Sequence, residues 1–388
     1  MRTSSSIALF TVLGFTSCAP RDDAGGRQNA TVLAADCYSV TQIDNRKFGG
    51  GVAPPHDIDE RGRLLFDRFI WDHGERTPLR APEGWVAAGA VDFNERGDVV
   101  GTVLRELGAG ARRPIVWWHD GTVALLPEVA SLNEVLEITE RGHVLARTYD
   151  GRAWDVVLYR DGAWIDLGRG IAYDVNDDDE VVLVDDRRAV LWKDGARIDL
   201  GLDGALTMKL NDHGQVIANA ERAGPGTEAA FLWETGVARM LPALPSLGDA
   251  QQWSATAINE RGDVAGLVIP SSTSTYFSYA VLWRGGAPTV LADWSAGVLD
   301  LNDAGQVFGN ARRGDVLRPF VWDRGTYVEL PMPFVARSAT GYADGRKSIN
   351  ERGDVFFNMK PVDGISHTLL WRNDLCGRPE PEPEEPGE

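Results

Sequence analysis

The chain has 388 residues, 43% of them apolar, with 43 Gly, 20 Pro and 13 Trp, which suits an all-β fold rich in turns and able to bury a large core. Its formal net charge of −18 argues against a nucleic-acid partner, whose phosphates would be repelled, and serves solubility. No long segment carries a helical apolar stripe.

Residues 1–17 hold one basic residue, Arg2, and an apolar run from Ile7 to Phe15. A run of about nine residues is too short to span a bilayer as a helix, so it reads as an export signal. The following Thr16-Ser17-Cys18 resembles a bacterial lipobox. That resemblance implies a lipid on Cys18 and attachment to a membrane; the alternative is an ordinary secretory signal. Ala19 after the Cys is not the Asp of an inner-membrane retention signal, which makes the outer membrane the expected berth, on its periplasmic or cell-surface side. From Cys18 to Asp36 the chain is polar and without period, and reads as a flexible tether.

Cys37 to Asp44 alternates as a lone strand, and from there to Gly377 one pattern recurs eight times. A short apolar run ends in Asn, two polar residues and Gly follow, and a second alternating run begins. Asn closes an Asx turn and Gly accepts the positive φ of a tight reversal, so this is a hairpin. The turns are Asp59 with Gly62, Asn94 with Gly97, Thr139 with Gly142, Asn176 with Asp179, Asn211 with Gly214, Asn259 with Gly262, Asn302 with Gly305, and Asn350 with Gly353. A second hairpin follows each, marked by an aromatic residue: Trp71, Trp118, Tyr159, Trp192, Trp233, Trp283, Trp322 and Trp371. Each unit therefore offers four short strands, a to d. A period of roughly 35 to 48 residues with that content predicts a β-propeller, with eight blades favoured and seven as the other count. Few residues separate Gly62 from Trp71, so the first unit reads as a compressed, defective blade.

The last unit stops after Trp371 without a fourth strand, while the strand at Tyr38 has no blade of its own. If the N-terminal strand completes the last blade, the ring closes and no sheet edge is left at the seam. Cys37 and Cys376 flank that seam, and in an oxidising compartment they read as a disulfide, with two free thiols as the alternative. Residues 378–388, alternating Pro and Glu, are an extended solvated tail.

The phrases Ala257 to Gly266 and Ala230-Phe231-Leu232-Trp233, with the unit ends Asp166-Leu167-Gly168 and Asp199-Leu200-Gly201, resemble the extracellular HAF repeat family of bacteria over roughly Cys37 to Cys376. The resemblance implies an exported propeller-like domain and carries no catalytic residues with it.

Turns built on Asn-x-x-Gly and Trp-x-x-Gly are uniform, whereas the b-to-c and d-to-a connections, on the opposite face, vary. Variable loops on a rigid scaffold are where recognition is normally placed. Trp85, Trp253, Tyr276, Phe277, Phe334, Arg337 and Tyr342 are the candidate contact residues on that loop face, because aromatics and Arg dominate recognition hot spots; each is otherwise an anchor packed on its own blade. Six His, at positions 56, 73, 119, 143, 213 and 367, lack zinc spacing, and no Gly-x-Ser-x-Gly elbow appears. Asp174-Val175-Asn176-Asp177-Asp178-Asp179-Glu180 resembles the start of a calcium loop without its turning Gly, and a solvated turn is preferred. No metal and no cofactor is expected. The function expected is a monomeric binding or scaffolding lipoprotein that recognises a glycan, peptide or surface partner; a propeller-fold glycan hydrolase or lyase is the alternative.

Overall fold

The structure, a computed structural model, describes residues 35–44, 53–105, 112–221, 228–247, 251–270, 277–292, 294–339, 347–361 and 367–374. Eight four-stranded antiparallel sheets form the blades of a β-propeller. Blades 1 to 7 run a-b-c-d in chain order, and blade 1 is complete despite its compression, its strands a, b, c and d being Asp57–Ile58, Leu64–Phe66, Phe69–Asp72 and Glu75–Pro78. Blade 8 supplies three strands, Ala336–Ala339, Val355–Pro361 and His367–Asn373. Its fourth is the N-terminal strand Tyr38–Asp44, paired antiparallel from Tyr38 opposite Asn373 to Asp44 opposite His367. Closure thus hydrogen-bonds a strand edge that would otherwise be open. No described helix is long and apolar enough to cross a membrane.

Blades hold one another through apolar clusters that straddle their boundaries. One joins Ile217, Ala229 and Ala230 of blade 5 to Trp253, Val264 and Trp283 of blade 6. Strand-c tryptophans face Val or Leu on strand b in the same register: Trp71 opposite Leu64, Trp233 opposite Val216, Trp283 opposite Val264 and Trp371 opposite Val355. In blade 2 that place belongs to Trp117, opposite Val99, and not to Trp118, which follows the strand. Adjacent tryptophans share one sequence signal, and only the pairing register separates them. The indoles of Trp117, Trp283 and Trp371 donate across the blade boundary to the carbonyls of Arg80, Pro242 and Pro331. Blade 3 has Tyr159 at this register; Trp164 on the neighbouring strand donates to Pro127 instead.

Strand a is innermost, and in five blades it carries a β-bulge at one place: Val91, Leu136, Tyr173, Thr256 and Leu299 are the extra residues. A bulge re-aims side chains. Here it brings the strand-a backbone so close to strand b that a Cβ on Gly101, Gly266 or Gly309 would lie 2.3, 2.0 or 2.4 Å from a strand-a carbonyl oxygen. It precedes Asp92, Glu137, Asp174 and Asp300, two residues before each hairpin turn.

Candidate functional site

The short-turn end of the axis is acidic. Each turn Asn does two things: its Oδ1 accepts from its own turn, as at Asp98, Glu180, Gln215, Asp263, Gln306 and Asp354. Its Nδ2 donates to the turn carbonyl of the next blade, Asn94 to Thr139, Asn176 to Asn211, Asn211 to Asn259, Asn259 to Asn302, Asn302 to Asn350, and Asn350 to Asp59 across the seam. Asp59 and Thr139 have no amide to give.

The residue after each turn Asn, Asp or Thr bears a carboxylate in all eight units: Glu60, Glu95, Glu140, Asp177, Asp212, Glu260, Asp303 and Glu351. In each blade the N–H of this residue donates to the carboxylate of its counterpart in the next, and Glu351 N–H donates to Glu60. The cycle is closed. Lys347 bridges Glu60 and Glu95 at 2.7 and 2.6 Å.

Beneath this rim a cavity of about 440 Å³ is lined by ten carboxyl side chains and two lysines. Asp92, Asp174 and Asp300 accept from backbone N–H groups of Ile138, Leu210 and Ser348 on the next blade. Burial, then the charges of Asp174 and Asp92, hold the Glu137 carboxyl well above the usual range, and it is hydrogen-bonded to Asp174. Burial likewise raises Asp300. Burial opposes the Lys209 ammonium, but Asp174, Glu137, Asp300 and Asp92 around it keep it charged. At the rim, partial desolvation and the charges of Asp303 and Glu60 push Glu351 up to about 7. Among the described residues no set of three or more His, Cys, Asp or Glu is arranged to hold a metal ion. The acidic run at 174–180 is not a free solvated turn: Asp179, at φ 64, accepts from His143 and Arg160, Asp178 pairs with Arg141, and Glu180 with Lys193 and Asn176.

The loop face is built differently. Between blades 1 and 2 lies an open notch of about 660 Å³, lined by Arg68, Leu79, Ala81, Trp85, Val86, Leu104 and Arg112. Trp85 begins strand a of blade 2, Trp85–Phe93; Arg105 ends strand b, Val99–Arg105; Arg112 and Arg113 begin strand c, Arg112–Trp117. Antiparallel pairing therefore gathers them at one end of the blade. The Arg105 and Arg113 guanidiniums sit 5.5 and 5.9 Å from the Trp85 ring centroid, near the outer limit of a cation–π contact.

Of the residues predicted to make contacts, Trp85 is half-buried in this notch. Phe277 is half-buried, its ring edge-on to Tyr279 at 4.9 Å. Phe334 is half-buried against the core of blades 7 and 8 and tilted on His367 at 5.6 Å. Trp253 is 3% exposed and donates its indole N–H to Leu241 O, so it is a blade anchor and not a contact residue. Arg337 falls in strand a of blade 8, and Tyr276 and Tyr342 lie outside the described residues, as do Cys18 and Cys376. The three described aromatics sit on blades 2, 6 and 8 and do not converge. Sequence reasoning missed the rim carboxylates, although an acid after every turn residue was visible, and it missed Arg68, Arg105, Arg112 and Arg113, whose spacing gives no sign that they meet.

No family model matches the chain, and no curated protein sequence does. Among solved structures, it is similar to the β-propeller domain of the Trilobed protease from Pyrococcus furiosus, at 8% identity and TM-score 0.45, covering 76% of this chain and 98% of that one. A virginiamycin B lyase from Staphylococcus aureus matches at 10% identity and TM-score 0.41, over 73% and 94%. A gluconolactonase from Xanthomonas campestris matches at 13% identity and TM-score 0.32, over 85% and 96%.

Proposed function

We propose that this chain is an exported, lipid-anchored propeller of the HAF-repeat kind that binds a glycan through its loop face. The observation that carries the reading is the notch at Trp85, where an indole, aliphatic side chains and arginines stand open on the face with variable connections. The polar groups of the opposite face are engaged in joining blades, which leaves fewer of them for a ligand. Screening the full chain, purified in detergent, on a glycan array tests it: retention of a defined saccharide, weakened by Trp85→Ala, is expected, and an array without hits refutes it.

The anchor would be a lipid on Cys18. Metabolic labelling with palmitate, lost in Cys18→Ser, is the check. A Cys37–Cys376 disulfide at the seam is part of the proposal, supported by the buried Cys37 preceding the Tyr38–Asn373 pair and by Cys376 following Asn373 by three residues in the sequence. It would contribute about 5 kcal/mol or somewhat more in the chain-entropy model, and peptide mapping without reduction tests it.

One observation favours the hydrolase or lyase as a second reading. Glu137, whose carboxyl burial and then the charges of Asp174 and Asp92 hold well above the usual range, is hydrogen-bonded to Asp174 in the axial cavity, a setting suited to a general acid. Polysaccharide cleavage abolished by Glu137→Gln would establish it.

A further inference from the structure

Three tryptophan–arginine couples stand on the loop face, and they serve as controls for one another. In blade 3, Arg147 lies 5.0 Å from the Trp154 ring centroid and is ion-paired with Glu134. In blade 7, Arg313 lies 3.8 Å from the Trp294 centroid and is paired with Glu329. At the notch in blade 2, Trp85 has two guanidiniums near it, Arg105 and Arg113, with Arg112 and Arg68 on the walls. Among the described residues none of these four is paired with a carboxylate. Arg112 donates to Asn133 O at 3.0 Å and Arg113 to Leu126 O at 2.9 Å, bonds that fix the side chains without neutralising them. Arg105 and Arg113 thus flank Trp85, and Arg68 and Arg112 line the notch, on a chain whose net charge is −18.

We propose that this notch binds an acidic saccharide, a sugar bearing a carboxylate or a sulfate, with the anion held between Arg105 and Arg113 and the sugar ring against Trp85. This rests on the loop-face reading above and names its ligand class. A guanidinium offers a planar fork of donors that matches carboxylate and sulfate oxygens. The apolar side chains beside it suit the C–H face of a pyranose. A peptide read by an arginine cluster needs an acidic motif, which a glutamate oligopeptide represents, and one that adds to a sheet edge is gripped through main-chain hydrogen bonds. The notch presents side chains instead, which favours the sugar.

The test is titration of the full chain in detergent with four probes of similar length: an oligogalacturonate, a sulfated heparin oligosaccharide, a neutral cello-oligosaccharide and a glutamate oligopeptide. Binding of one or both acidic sugars at least about tenfold tighter than the neutral one, weakening with added salt, is expected. Arg105→Gln and Arg113→Gln should each lower it by about tenfold, while Arg313→Gln should not. The uronate and sulfate arms tell which anion is preferred. Equal binding of neutral and acidic sugars, preference for the peptide, or acidic-sugar binding that survives both notch substitutions overturns the inference. If that surviving binding is lost in Phe277→Ala, the loop-face reading stands and only the notch falls; if no saccharide binds, both fall.

Discussion

The two faces of this propeller use charge in opposite ways. On the short-turn face carboxylates are connectors: each accepts an N–H from the preceding blade, so eight negative groups are drawn around one axis. Burial, with the charges of Asp303 and Glu60, raises Glu351 in this rim; in the cavity beneath, burial raises Asp300, and burial with the charges of Asp174 and Asp92 raises Glu137. On the loop face, at the notch, cations are gathered with no carboxylate paired to them among the described residues. An acidic propeller can therefore carry its acids as architecture and keep a small basic region apart from them, because the two ends of each strand belong to different surfaces.

The comparison can be tested from its strongest joint outward. Trp371 is fully buried and bonded to Pro331 O, so Trp371→Ala should destabilise by about 3–5 kcal/mol in a urea titration. Asn350→Ala removes the bond to Asp59 across the seam and the acceptor for Asp354 and Arg352, at about 2–3 kcal/mol. The converse change sharpens the argument: Thr139→Asn supplies the amide that blade 3 lacks, and a gain of about 1 kcal/mol is expected.

The pH dependence comes next. With Glu351 at about 7 when folded against 4.5 ordinarily, the folded chain keeps a proton that the unfolded chain has released between those values. Its contribution is complete below 4.5 and is lost as pH rises through about 7. Asp98 works the other way: burial raises it, hydrogen bonds from His119 and Asn94 outweigh that, and its contribution fades only as pH falls below the usual carboxylate range. Because Glu351 faces solvent, the effect is screened, and Tm should be higher at about pH 5 than at about pH 8 by roughly 2 °C. Glu351→Gln, which keeps the acceptor for Asp303, should flatten that slope. The smallest effect belongs to the other face: Arg105→Ala should alter stability by no more than about 0.5 kcal/mol, since among the described residues it makes no hydrogen bond or ion pair and only a long contact with the Trp85 ring.

The architecture was legible because it is periodic. Eight Asn-type turns, their glycines and the aromatic of the second hairpin are local signals, and a strand missing at one terminus with a spare at the other leaves few ways to close. Blade 1 shows the limit of counting: its strands are short, yet all four form. The candidate sites were far less legible. Trp85 and Trp253 look alike in sequence, both aromatics in connections entering a strand a; one is left half-exposed, and the other is drawn under Leu241 by its indole bond.

By itself the sequence determined the repeat, the turn chemistry and the route by which the ring closes, since each depends on residues within a few positions or on which strand lacks a partner. Tertiary structure alone decided that the turn Asn also clasps the next blade, that the acids behind it form a cycle, that Trp117 and not Trp118 occupies the blade register, and that Arg68, Arg105, Arg112 and Arg113 meet around Trp85. Those contacts join residues one blade apart in the chain or at opposite ends of a hairpin. They are set by strand register and by the bulges of the inner strand, which no local pattern of side chains encodes.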